Sequence, residues 1–359
     1  MTVVEGATAG LPPRAPACAG ARGGDAIDTA ATFRHRAARN KAPSRSFTNE
    51  GDTIIGSGRQ SAFTTFGTEA AWLAGLTGWM VLGAVVIALA LAALMVTASR
   101  SREGALSHRQ GMRLVLWAGG IVPSVVLLAL LIATLPAMRP IRAARDDLRV
   151  TVTGEQFWWR MAYRRAGAAV VTSANELRLP VGRDVVLALE GGDVLHSFWV
   201  PGLAGKMDMV PGRTNTLVVH ATRAGRFRGQ CAEFCGLSHA LMAFDVVAME
   251  PAAFDAWLAA ERRPVTTAAS TGARLFDAYG CGGCHAVRGT GAAGAIGPDL
   301  THLGARATMA AGIQPLTTAN LVRFIRDAPA VKPGARMPAY PQMSAPDATA
   351  IARWLETNR

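Results

Sequence analysis

Cys231-Ala-Glu-Phe-Cys235-Gly-Leu-Ser-His239-Ala-Leu-Met242 gathers two thiols, an imidazole and a thioether into one short stretch, and a further histidine, His196, stands upstream of it. Soft sulfur combined with imidazole suits copper, and a weak thioether recurs at electron-transfer copper sites, where it helps to set the potential. One copper ion cannot use two thiolates, two imidazoles and a thioether together. Two thiolates that each bridge two metal ions let the pair share an unpaired electron, which keeps the geometric change on electron transfer small. The residues alone also admit a Cys231–Cys235 disulfide or a zinc site built from Cys231, Cys235 and His239. A closed zinc site, however, has no use for Met242.

The segments around this stretch alternate. Leu148, Val150 and Val152, then Val185, Leu187 and Leu189, then Leu217 and Val219 repeat with period two, bounded by turn signals such as Gly191-Gly192 and Pro211-Gly212. That pattern predicts half-buried antiparallel strands and a small β-sandwich or barrel. Upstream, no residue from Ala71 to Ala98 is charged, and Leu114–Met138 repeats the feature. Each stretch exceeds the roughly 20 residues needed to cross a bilayer core, and Gly119, Gly120 and Pro123 are tolerable within a membrane helix. Arg100, Arg102, Arg109 and Arg113 outnumber Glu103 between the spans, which favours a cytoplasmic connector with both ends outside; Arg139, Arg142 and Arg145 after the second span blur the count.

The whole chain agrees with a membrane protein. Its 359 residues are 50% hydrophobic, and the mean hydropathy is +0.22. The formal charge of +12 is spread over arginine-rich segments without a nucleic-acid-binding motif, so no nucleic acid is expected as a partner. Five cysteines, four of them in the close pairs Cys231/Cys235 and Cys281/Cys284, are too few for a disulfide scaffold. Residues 1–67 are rich in Ala, Gly, Arg and Ser and read as a disordered tail without an apolar leader segment; Cys18 and His35 within it carry no expected role.

After the strands, 259–270 reads as a linker, and helical periodicity follows. Cys281-Gly-Gly-Cys284-His285 has the form of a c-type haem attachment: two thioethers anchor the porphyrin, and the adjacent histidine reaches the iron. The stretch Thr271–Tyr279 before it places Gly272 and Phe276 on one helical face, where the terminal helix around Trp354 can approach closely. A thioether would raise the potential, as an electron carrier needs, and Met337, in a loop 52 residues after His285, is the first choice for the second axial ligand. Met343 is the second choice and His302 a weaker third; Met309 reads as core or surface, while His108 and His220 belong to no constellation.

Two resemblances give these constellations names. The stretch Cys231–Met242, with His196-Ser-Phe-Trp-Val-Pro-Gly-Leu-Ala-Gly-Lys-Met-Asp208-Met-Val-Pro-Gly-Arg213, resembles the binuclear CuA segment of cytochrome c oxidase subunit II over residues 71–250. Residues 271–359, with Gly297-Pro298-Asp299-Leu300 and Ala-Arg-Met337-Pro-Ala-Tyr, resemble a small class I cytochrome c, in which the proline carbonyl accepts a hydrogen bond from the proximal histidine. The combination implies a caa-type fusion: a transmembrane hairpin (68–140), a cupredoxin-like Greek-key β-sandwich (146–258), the linker, and a small all-α cytochrome domain. Carried over residue by residue, Cys231 and Cys235 become the bridging thiolates, His196 and His239 the imidazole ligands, Met242 the weak ligand, and Glu233 a ligand through its backbone carbonyl. The Glu233 side chain would reach a magnesium or manganese ion shared with subunit I, a boundary that Asp208 also approaches. Gly154-Glu-Gln-Phe157-Trp158-Trp159 resembles the family's aromatic electron-uptake segment, but Phe157 stands where many members have tryptophan, a change that suits a covalently attached donor. Trp158 and Trp159 read equally well as electron-path aromatics or as sandwich core.

The implied function is that of an electron-transfer subunit of a terminal respiratory oxidase. An external donor, cytochrome c or another respiratory carrier, would feed haem c. Two copper ions would follow, and then subunit I, where dioxygen is reduced to water with proton pumping. Subunit I, subunit III and the lipid bilayer would be the partners, in a bacterial inner membrane with both redox domains on the outer side. The chain itself would hold no oxygen-reducing site. The alternatives are a CuA-bearing subunit of a nitric oxide reductase of the haem-copper superfamily and a membrane-anchored copper-handling protein, the second opposed by the attached haem. Nitrous oxide reductase needs many more histidines than the seven present.

Overall fold

The computed structural model describes residues 59–102, 104, 106–138, 148–266 and 269–359. Cys18, His35, Arg139, Arg142, Arg145 and most of the amino-terminal segment lie outside the described residues.

Two long apolar helices lead the described chain, α1 (Thr68–Arg100) and α2 (His108–Thr134), each long and apolar enough to span a membrane. Their side chains, among them Val85, Leu89, Val126 and Leu127, face outward without protein cover. Apolar surface on that scale is stable only against lipid or another subunit. Ser107 opens α2 with a reciprocal capping box to Gln110. Within α2, Val115–Ile121 winds as a π-helix, and the Val122 N–H reaches back to the Trp117 carbonyl. The widened turn falls over Gly119-Gly120 just before Pro123, whose missing N–H cannot extend an α-helical ladder.

The sandwich follows. One sheet has the order β3-β2-β1-β5-β8, from Val171–Ala174, Trp158–Arg164, Leu148–Glu155, Asp184–Gly191 and Asn215–His220; the other has the order β4-β10-β9-β6-β7, from Glu176–Pro180, Ala243–Met249, Gly225–Cys231, His196–Trp199 and Met207–Met209. Val150, Val152, Leu187 and Leu189 are fully buried, as their alternation predicts, but β1 and β5 pair in parallel rather than antiparallel, with Val150 opposite Leu187 and Val152 opposite Leu189. Trp159, Phe198 and Phe244 meet between the sheets with ring centroids 4.8–6.2 Å apart, the separation favoured by offset and edge-on aromatic pairs. Gly229 permits this approach, since a Cβ there would lie 2.2 Å from the Phe244 ring.

Two segments differ from the sequence expectation. Residues 59–67, assigned to the disordered tail, pack on the sandwich: Phe66 is buried and stacks on Phe227, and the Phe66 and Gly67 N–H groups donate to the Gly202 carbonyl. One buried ring, three residues after the exposed Phe63, leaves no periodicity to read, yet burying it contributes a large apolar area. In the second segment, helix α3 (Pro251–Glu261) continues three residues into the expected linker, because Phe254 and Leu258 dock into the sandwich core and Glu261 completes the turn.

The carboxy-terminal unit is helical: α4 (Thr271–Ala278), α5 (Thr318–Arg326) and α6 (Ala345–Thr357). Ser270, Thr317 and Ser344 cap the three, each hydroxyl accepting from a backbone N–H in the first turn. The α4–α6 crossing rests on Gly272, where a Cβ would lie 2.4 Å from Trp354 Cβ, and Phe276 meets the Trp354 ring edge-on at 5.2 Å. This unit docks on the sandwich through polar bonds. Ser238 Oγ donates to Pro333 O at 2.6 Å, Ala243 N to Ala311 O at 3.0 Å, Thr308 Oγ1 to Asp245 Oδ2 at 2.5 Å and Arg160 Nη2 to Ala295 O at 2.7 Å.

Candidate metal and haem centres

The copper candidates come from two neighbouring strands and the loop that follows one of them. His196 begins β6, Cys231 ends β9, and Cys235, His239 and Met242 lie in the loop from β9 to β10. Cys231 and Cys235 are free thiols with sulfurs 3.8 Å apart, too far for a bond between them. Each sulfur has its own imidazole: Cys231 Sγ lies 3.8 Å from His196 Nδ1, and Cys235 Sγ lies 3.7 Å from His239 Nδ1. Two further weak donors complete the set, with the Glu233 carbonyl 3.1 Å from Cys231 Sγ and the Met242 thioether 3.7 Å from Cys235 Sγ. The set therefore divides into two nearly equivalent halves around the sulfur pair, each with one imidazole and one weak ligand. A donor set of this kind fits two soft, imidazole-loving ions better than one.

Ring orientation is settled by hydrogen bonds. His196 is fully buried, and its Nε2 lies 2.9 Å from Asp193 Oδ1. With Nε2–H donating to that carboxylate, the Nδ1 lone pair faces Cys231. Burial opposes protonation of His196, but Cys231 and Asp193 outweigh it and hold the pKa above the ordinary value. Burial likewise opposes ionisation of Asp193, yet bonds from the Gln156 N–H, His196 and the Val194 N–H pull its pKa down. The contact with the Cys235 sulfur draws the Cys231 pKa well below the usual thiol range; the same contact, with burial, pushes Cys235 up. Thiolates are the metal-binding form, so metal binding at this pair releases protons.

The haem candidates surround a cavity between α4, α5 and the strap of residues 332–340. Cys281, Cys284, His285 and Met337 all border it. His285 Nδ1 lies 2.8 Å from Pro298 O, so Nδ1–H donates there and Nε2 is left for an iron. Burial lowers the His285 pKa, which keeps the ring neutral and able to ligate. Gly297 is shaped to this ring: a Cβ would stand 2.6 Å from His285 Cε1. Cys281 and Cys284 are free thiols, as covalent attachment requires. Met343 is buried in the helical core away from the cavity, and His302 Nε2 is occupied with Arg263 O at 2.9 Å. Met309 borders the cavity from the core side.

The aromatics divide. Trp159 is fully buried in the sandwich, whereas Phe157 and Trp158 wall the haem cavity from the sandwich side. The Phe157 ring sits between the copper loop and the strap: a Cβ on Gly236 would be 3.1 Å from Phe157 Cζ, and one on Gly334 would be 3.1 Å from Phe157 Cε2. Both glycines also have positive φ, +125° and +76°, which side chains rarely adopt. Glu233 and Asp208 approach Lys206 Nζ at 3.8 and 3.2 Å on an exposed edge. His220 pairs with Asp184 at 2.7 Å, away from both centres. Sequence reasoning assigned no role to Asp193, Gln156 or Lys332. Only Asp193, three residues before His196, left a signal in the sequence, and that signal is weak.

A family model described as the periplasmic domain of cytochrome c oxidase subunit II matches residues 160–249, and one described as cytochrome c matches residues 269–359. The cytochrome c oxidase subunit 2 of Bacillus subtilis is 33% identical over 250 residues, covering 66% of this chain and 69% of the relative. The chain belongs to the cytochrome c oxidase subunit 2 family. The subunit 2 of Alkalihalophilus pseudofirmus is 43% identical over 216 residues, covering 59% of this chain and 61% of the relative, so the match spans under two thirds of that relative's length. The crystal structure of the periplasmic domain of subunit II of cytochrome oxidase from Bradyrhizobium japonicum aligns with 30% identity over 34% of this chain and 97% of that one, at a TM-score of 0.32. The two family domains imply copper and haem c binding, and the donor sets described above fit both groups.

Proposed function

We propose that this subunit 2 chain is the electron-transfer arm of a terminal respiratory oxidase. Its cytochrome domain takes electrons from an external donor such as cytochrome c and delivers them, through CuA, to subunit I. Cys231, Cys235, His196, His239, Met242 and the Glu233 carbonyl would hold two copper ions. Cys281 and Cys284 would bind haem c covalently, and His285 and Met337 would hold its iron. When loaded, both groups supply reversible one-electron storage, and neither donor set leaves an open position for oxygen chemistry.

The protein's own residues supply the rest. Asp193 and the Pro298 carbonyl fix the tautomers of His196 and His285, the buried sulfur pair excludes water, and the Phe157 ring fills the space between copper loop and strap. The observation that carries the reading is this shared wall: Phe157 and Trp158, from the copper domain, close the cavity that holds Cys281, Cys284, His285 and Met337. A copper-handling protein has no need of such a wall, and membership of the cytochrome c oxidase subunit 2 family favours an oxidase over a nitric oxide reductase.

In the complex, dioxygen reduction to water and proton pumping belong to subunit I. The exposed apolar faces of α1 and α2 support docking on subunit I in the inner membrane, with subunit III alongside and both redox domains on the outer side. Glu233, on an exposed edge beside Lys206, would share a magnesium or manganese ion at that boundary. Metal and haem analysis of the purified oxidised complex tests the reading. Two coppers in this chain per covalent haem, with the spectrum of a delocalised pair, are expected. A single copper ion, or co-purification with a subunit that reduces nitric oxide but not dioxygen, refutes it.

A further inference from the structure

Arg336 stands immediately before Met337 in the strap, and its Nη2 donates to Asp193 Oδ2 at 2.7 Å. The other carboxylate oxygen, Oδ1, lies 2.9 Å from His196 Nε2. One carboxylate therefore joins a copper-ligand candidate to the residue beside an iron-ligand candidate, across the boundary between the two domains. The carboxylate is itself rigid: Oδ2 also accepts from Gln156 N and Oδ1 from Val194 N, both at 2.8 Å. Gln156 is tied in turn to the copper loop, since its Nε2 donates to Cys235 O at 2.6 Å. Asp193 is 11% exposed and Arg336 53% exposed, so a free guanidinium is delivered to a prepositioned, nearly buried anion.

We infer that the Arg336–Asp193 ion pair is a positioning latch, which closes the methionine strap onto the copper-ligand shell and sets the spacing and coupling between the two centres. The pair adds what the other interdomain bonds lack. Ser238–Pro333 and Arg160–Ala295 also bind the strap or the haem-binding loop to the sandwich, but neither includes a group hydrogen-bonded to a ligand candidate's side chain, as Asp193 is to His196. An Arg here also offers a planar, permanently charged fork that a lysine reproduces only as a point charge.

The inference rests on the proposed electron route, and the test separates the two. In the complete oxidase complex, Arg336→Gln should open the strap roughly fivefold more often, equivalent to about 1 kcal/mol for a half-exposed ion pair. Hydrogen exchange reads this at the protected amides of Ala335 and Tyr340, which donate to Lys332 O and Arg326 O. The rate of electron passage from photoreduced haem c to copper should fall with it, while the haem and copper spectra keep their wild-type form, and Arg336→Lys should recover part of both losses. Asp193→Asn should loosen the strap equally and, because it also touches His196, shift the copper potential. Wild-type exchange and transfer rates in Arg336→Gln, or wild-type strap exchange in Asp193→Asn, overturn the latch. If wild-type haem c does not reduce copper at all, the electron route fails instead, and the exchange measurements still decide whether the latch exists.

Discussion

Gly297→Ala tests whether the haem-binding loop is cut to the shape of one imidazole. A Cβ at this position would stand 2.6 Å from His285 Cε1, 2.8 Å from Nδ1 and 3.1 Å from Nε2, where ordinary carbon contacts begin near 3.5 Å. The ring must therefore move by roughly 0.9 Å, and it is confined by Cys284 on the chain and by its bond to Pro298 O at 2.8 Å. Overpacking of this kind costs typically 1–3 kcal/mol, and loss of the Nδ1 hydrogen bond adds about 1 kcal/mol. Against this, Gly→Ala gains about 0.4–1 kcal/mol by restricting the unfolded chain. The clash wins, and net destabilisation of about 1–3 kcal/mol is expected. Denaturant unfolding of the holoprotein, followed at the haem band, measures it; the absorption spectrum should also show weakened axial ligation. Gly291→Ala in the same loop is the control, because a Cβ there meets nothing within 4 Å, so its stability should equal or exceed wild type. Equal behaviour of the two variants would refute the reasoning.

Two further outcomes are expected. Met337→Ala should leave the haem covalently attached but convert it to a low-potential or high-spin form visible in its spectrum, whereas Met343→Leu, a core change of conserved volume, should cost under about 1.5 kcal/mol and leave the spectrum intact; the reverse pattern would move the ligand assignment to Met343. Burial pushes the Lys332 ammonium down to about 7, so between that pH and its unfolded value near 10.4 the unfolded chain binds more protons and stability rises with pH. Replacing Lys332 by Met should flatten stability against pH in that window, as read by chemical denaturation; an unchanged slope would show that the ammonium is not depressed.

Much of this protein was legible along the chain. The charge-free stretches fixed the two spans, because a bilayer core selects length and apolarity, both linear properties of sequence. Period-two alternation gave β1, β5 and β8, because a strand buries every second side chain. The clustered Cys231–Met242 and Cys281–His285 announced metal and haem chemistry, because those ligand sets are largely local. Tertiary structure alone decided how the two centres face each other. Asp193 and Arg336 meet across 143 positions of chain, Gln156 reaches Cys235 across 79, and Phe66 finds Phe227 from within a stretch without pattern. Such pairings depend on domain docking, and a single hydrogen bond or ring contact is worth too little to leave a periodic trace in the sequence. The candidate ligands could be named from a family resemblance carried by local motifs, whereas the carboxylate that aims one of them and the arginine that grips it from the other domain became visible only when the chain was folded.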